Sequence, residues 1–143
     1  MSMRKKHAIF LLHGLFGSSE NLSVIKKGFL DEALILPIAA RNHANGLISQ
    51  SMSYPEMAND IIQLFNDNKL NSCDIIGHSM GGKTAMCVAL DQKIKVNHLI
   101  VMDIAPKPYP LFHSHIIDSL KKLDLNKFKS KTDVSKSLIK DIP

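Results

Sequence analysis

DIIGHSMGGK, residues 74–83, runs from a short apolar segment into an abrupt turn. Gly77, His78, Ser79, Met80 and Gly81 fit G-x-S-x-G, the strand-to-helix turn that lifts a serine above the carboxyl edge of a parallel sheet. Glycine is needed at Gly77 and Gly81 because side chains there would collide across the turn. The helix beyond opens with free N–H groups and a partial positive charge, where negative charge developing in acyl transfer is stabilised. A serine hydroxyl is a poor nucleophile alone, so the pattern also asks for a histidine to take its proton.

On both sides of this turn, apolar runs alternate with amphipathic segments, as in βαβ units carrying a parallel sheet. HAIFLLHG (7–14) is almost wholly apolar, as expected of a strand covered on both faces. A short helical segment is expected around 19–30. ALILPIAA (33–40) is a second strand, which Pro37 assigns to a sheet edge or a bulge. Ser53-Tyr54-Pro55-Glu56 forms a capping box with proline in the first turn, and Met57, Ile61, Leu64 and Phe65 continue it as a one-faced helix over 54–68. CDIIG (73–77) is the third strand, 80–91 its helix, and VNHLIVMD (96–103) the fourth strand. IAPKPYP ends the alternation. Two short lysine-bearing helices are expected over 112–142, with apolar spacing at Ile116, Leu120 and Leu123.

The chain has 143 residues, 45% hydrophobic and 22% charged, enough for an ordinary core in one domain. Its apolar runs fall short of the roughly 18–20 residues that span a membrane. MSMRKKHAIFLLHGLFG imitates a signal peptide, but His13 interrupts the run and no small-x-small cleavage site follows, so a buried strand and a cytoplasmic protein are expected. Cys73 and Cys87 lack CxxC spacing and are expected to be reduced packing residues. The net charge of +5 comes largely from scattered lysines, thickest between Lys121 and Lys140. Without interleaved aromatics these imply solvated helix faces, and neither a nucleic-acid nor a membrane partner is expected.

A second glycine turn, HGLFG (13–17), closes the first strand. Such turns aim backbone N–H groups at a bound oxyanion. Gly14 serves the turn, and the amides of Phe16 and Met80 are the expected donor pair.

Together, HGLFGSSENL, RNH with YPEMANDI, IIGHSMGGK and MDIAP resemble, in order and spacing, the α/β-hydrolases, and among them the short bacterial esterases of the YbfF type. The resemblance covers about residues 7–110. It implies a partial α/β-hydrolase fold of four parallel strands in the order second, first, third, fourth, with residues 1–110 as core and 111–143 as the start of a helical cap. It implies hydrolysis of carboxyl esters or acyl-CoA thioesters through an acyl-enzyme on Ser79, with no metal and no cofactor. The acid falls on Asp103. Two positions depart from the pattern: Ala39 stands where the family commonly has an aspartate, leaving Arg41 without that partner, and Ala44 replaces the glycine after His43.

In this family the histidine follows the acid along the chain. Large α/β domains run to roughly 200–250 residues, so the resemblance implies a chain truncated inside the cap, short of the usual base and inefficient as a catalyst alone. Of the seven histidines, His13 and His78 are expected to shape loops, and His7 and His98 lie on strands. His43 precedes the serine. Only His113 and His115 follow Asp103, and an exact triad is a demanding requirement for either. The alternatives are an inactive remnant, or a non-catalytic binding protein that uses its exposed fourth strand, through which self-association is also expected.

Overall fold

A computed structural model describes residues 8–29, 33–110 and 114–139. The chain forms two compact units, with the boundary between Pro106 and Lys107.

The first unit is a four-stranded parallel sheet: β1 (Ala8–Leu12), β2 (Leu34–Ile38), β3 (Cys73–His78) and β4 (Val96–Met102). Its order is β2-β1-β3-β4, as the resemblance implied. A 3-10 turn (Ser19–Leu22) leads into α1 (Ser23–Gly28), and α2 (Tyr54–Asp67) and α3 (Met80–Asp91) precede and follow β3. Every residue of β1 is buried, because strands flank it on both sides and helices cover both faces. Ala8, Phe10 and Leu12 pack with Ile61, Phe65 and Val88 of α2 and α3. Ile9 and Leu11 point the other way, to Leu22 and Ile76, with Ile25 against them. The near-continuous hydrophobicity of β1 is therefore the cost of being a central strand, with two cores to fill at period two.

Pro37 lies within β2 opposite Leu11, on an edge strand where its missing N–H costs no second ladder. β4 forms the other edge, with Leu99 and Ile100 exposed. α2 begins at Ser53, whose hydroxyl accepts from the Glu56 N–H while the Glu56 carboxylate accepts from the Ser53 N–H at 3.0 Å, the expected capping box.

Two glycines set how closely α3 approaches the sheet. A Cβ on Gly81 would strike the carbonyl oxygen of Leu12 and lie 2.6 Å from that of His13. One on Gly77 would strike the Gly81 carbonyl. The first turn of α3 thus rests on the end of β1 with no room for a methyl group.

The second unit holds α4 (Ser114–Lys121) and α5 (Lys131–Leu138), with a 3-10 turn at Leu125–Lys127 between them. Ser130 caps α5 by accepting from the Asp133 N–H at 3.2 Å. No helix among the described residues is long and apolar enough to cross a membrane.

Gly81→Ala is expected to destabilise the protein by about 1–3 kcal/mol through overpacking against backbone. Gly28→Ala, whose added methyl meets nothing within 4 Å, should stay within about 1 kcal/mol of wild type. Denaturant unfolding of the two variants provides the comparison.

Candidate active site

Ser79 joins β3 to α3 with φ 51° and ψ −114°, a left-handed conformation unusual for a residue bearing a side chain. Such backbone costs on the order of 1–3 kcal/mol and persists only where the surroundings impose it. Here they do: the Ser79 N–H donates to the Met102 carbonyl of β4 at 2.9 Å, and the Ser79 carbonyl accepts from the Lys83 N–H at 3.1 Å. Gly14 lies against this elbow. A Cβ on it would stand 3.4 Å from Ser79 Cβ and 2.9 Å from His78 Nδ1. Gly14, Gly77, Ser79, Met80 and Gly81 are thus gathered at the carboxyl rim of the sheet. Ser79 is half-buried, and among the described residues its hydroxyl makes no hydrogen bond.

Asp103 follows β4 directly, with φ 56°. Its carboxylate is 87% exposed and lies 3.6 Å from His78 Nε2. Since His78 pairs in register with Met102, Ser79 and Asp103 leave neighbouring strands at the same level. His98 sits on β4 and meets Asp74 of β3 at 2.9 Å, away from this rim. His7, His113 and the side chain of His115 lie outside the described residues.

The expected donor role of Phe16 needs correction. Its N–H is directed at His43 Nε2, 3.0 Å away, and is spent on that ring. Leu15, one residue earlier, has no hydrogen bond at its N–H among the described residues, and Met80 heads α3 where the helix supplies its N–H no acceptor. His43 was legible only as a loop residue, because its partner is 27 positions away.

Arg41 is also not left without a partner. Its guanidinium is buried and bidentate to Asp60 of α2, Nε to Oδ2 and Nη2 to Oδ1, each at 2.8 Å. It further donates to the carbonyls of Ser51 at 3.2 Å and Glu56 at 3.4 Å, and the Glu56 carboxylate lies 3.5 Å away. The Asp60 hydrogen bonds, against the opposing effect of burial and with the charges of Asp60 and Glu56 adding to them, raise the Arg41 pKa above its ordinary value. Asp60, from the helix, thus gives Arg41 the carboxylate partner that Ala39 cannot. The available signal was the Glu56/Asp60 pair, four apart and so on one helix face. Ala44 takes φ 42°, a conformation suited to the glycine it replaces.

Two cavities flank the rim. One of about 530 Å³ lies among the ends of β1 and β2, α2 and the start of α3, with Leu12, Ile38, Met57, Ile61 and Met80 forming apolar walls and Arg41 at its margin. The other, about 540 Å³, is bordered by Gly14, Phe16, His78 and Met102.

The sequence model of the alpha/beta hydrolase fold matches residues 7–126. A Haemophilus influenzae protein named as an esterase/lipase is 41% identical over 113 residues, covering 78% of this chain and 39% of that protein. Esterase YbfF of Escherichia coli is 36% identical over 101 residues, covering 71% of this chain and 40% of YbfF. Among solved structures, a marine microorganism esterase superposes with a TM-score of 0.86 at 36% identity, over 96% of this chain and 55% of that one. The chain therefore spans about two-fifths of the length of these curated relatives.

Glu56 provides a pH test of the anchor beneath this site. Hydrogen bonds from the Ser51 hydroxyl, then from the hydroxyl and N–H of Ser53, with nearby Arg41 adding a smaller effect, hold its carboxyl at about 2 instead of 4.5. A folded-state pKa below the unfolded one stabilises the fold in full above about 4.5, and that contribution fades as pH falls toward 2. Glu56→Gln should therefore melt below wild type at pH 6, with the gap closing between pH 4.5 and 2. Paired thermal melts across that range check it.

Proposed function

The chain belongs to the α/β-hydrolase fold family, and on that premise we propose that the protein is a serine hydrolase of carboxyl esters with Ser79 as its nucleophile. The observation that carries this reading is the Ser79 backbone. A left-handed serine, held between two glycines that admit no side chain, is costly to keep and presents a hydroxyl at the sheet rim.

In this reading Ser79 Oγ attacks the ester carbonyl and loses its proton to a histidine base, which the family places after the acid along the chain and which passes that proton to the departing alcohol. The carbonyl oxygen takes up the negative charge, and the N–H of Met80, at the positive end of α3, donates to it. With the Phe16 N–H engaged by His43, Leu15 supplies the second amide. Collapse of the tetrahedral intermediate expels the alcohol and leaves an acyl group on Ser79, which water then removes. Acyl-CoA thioesters would follow the same course with a thiol as leaving group. Asp103 is the acid that orients the base and stabilises its charged form. The apolar cavity beside Met80 and Gly81 suits the acyl chain.

A second reading, a scaffold that binds esters without turning them over, draws on the Ser79 hydroxyl having no hydrogen-bond partner among the described residues.

Hydrolysis of a short-chain p-nitrophenyl ester and labelling by a fluorophosphonate separate the two. One label per chain by intact mass and slow turnover by this chain alone, both lost in Ser79→Ala, are expected. Labelling without turnover favours the second reading, and neither signal removes Ser79 from the chemistry.

A further inference from the structure

We infer that His13 and His43 form a reciprocal brace, each accepting a backbone N–H from the other's loop, that positions the HGLFG turn against Ser79. The His13 ring lies 2.8 Å (Nδ1) from the Gly14 carbonyl and takes the Ala40 N–H on Nε2 at 3.1 Å. The His43 ring lies 3.0 Å (Nδ1) from the Arg41 carbonyl and takes the Phe16 N–H on Nε2 at 3.0 Å. A carbonyl only accepts and an amide N–H only donates, so both rings are fixed as the neutral form protonated at Nδ1. Both are buried, their centroids 5.3 Å apart.

The arrangement is crossed. The histidine of the 13–17 turn reaches the 39–46 loop, and the histidine of that loop reaches back to the turn. One bond alone would leave a hinge, whereas two in opposite directions fix the position of one loop on the other. Arg41, between the two bracing points on its loop, is clamped to Asp60 and so refers the pair to α2. The brace holds Phe16 at φ 59°, two residues beyond the Gly14 that touches the serine elbow. Movement of the turn would shift the Leu15 amide relative to Ser79, and misplacement by about 1 Å can cost on the order of 100-fold in rate.

His43 is thus a positioning residue, in a role that rests on the serine-hydrolase reading. The geometry and the chemistry are tested by separate measurements on the full chain. Imidazole nitrogen NMR should show both rings protonated at Nδ1, with a coupling across the hydrogen bond between the Phe16 nitrogen and His43 Nε2. Protonation of either ring at Nε2 overturns the brace. In His43→Ala the amides of Phe16 and Ala40 should both exchange with solvent at least about 10-fold faster, and fluorophosphonate labelling of Ser79 should slow by about 10–100-fold. His43→Gln offers a carbonyl to the Phe16 N–H and an amide donor to the Arg41 carbonyl, and should recover most of both losses. Unchanged exchange in His43→Ala, or labelling that keeps the wild-type rate despite faster exchange, refutes the inference. Should His43→Ala fail to fold, the imidazole signals of wild type and the coupling across its Phe16–His43 hydrogen bond decide it. A wild-type chain that takes no label sinks the hydrolase reading instead, while the NMR and exchange data still decide the brace.

Discussion

The first turn of α3 lies so close to the end of β1 that only hydrogen fits at Gly81, and the architecture of the rim follows from that contact. Gly77 must be bare for the same reason, since the Gly81 carbonyl occupies the space a side chain would fill. Ser79, between them, has nowhere to go except the left-handed region, and its N–H is captured by Met102. Three strands and one helix therefore meet within a few residues. Strain at one residue is tolerable because neighbouring backbone atoms leave no alternative path.

Around this fixed point the rim is completed by polar groups that are buried and satisfied. His13, Arg41, His43 and Thr84 are the buried polar residues of the described chain, and none of their buried side-chain atoms lacks a partner. Thr84 donates to the Met80 carbonyl in the first turn of α3. The other three knit the two loops that follow β1 and β2. A buried polar network is costly when partly satisfied and rigid when fully satisfied. Its completeness here gives the loops a defined path with few apolar contacts of their own.

The Arg41–Asp60 pair shows how one function can be supplied from another element. The carboxylate missing at Ala39 is replaced from α2, in a bidentate geometry that fixes both orientation and distance. Glu56 adds to the same cation while closing the capping box of α2, so the residue that starts the helix also steadies the loop before it.

The elements and their order were legible in the sequence because the signals are local. The continuous apolar run of β1, Pro37 on an edge, the Ser53–Glu56 cap and the glycines of the elbow each depend on neighbours within a few residues, or on a collision any such turn would produce. The gathering of Ser79, Met80 and Gly14 followed from the strand order that the family resemblance implied. What the tertiary structure alone decided is which donor meets which acceptor. Phe16 and His43 are 27 residues apart, as are His13 and Ala40, and Arg41 and Asp60 are 19 apart. No periodicity carries that information. Hydrogen bonds are short and directional, so the path of each loop through space, set by the packing of distant elements, determines whether an amide faces a substrate or a histidine ring.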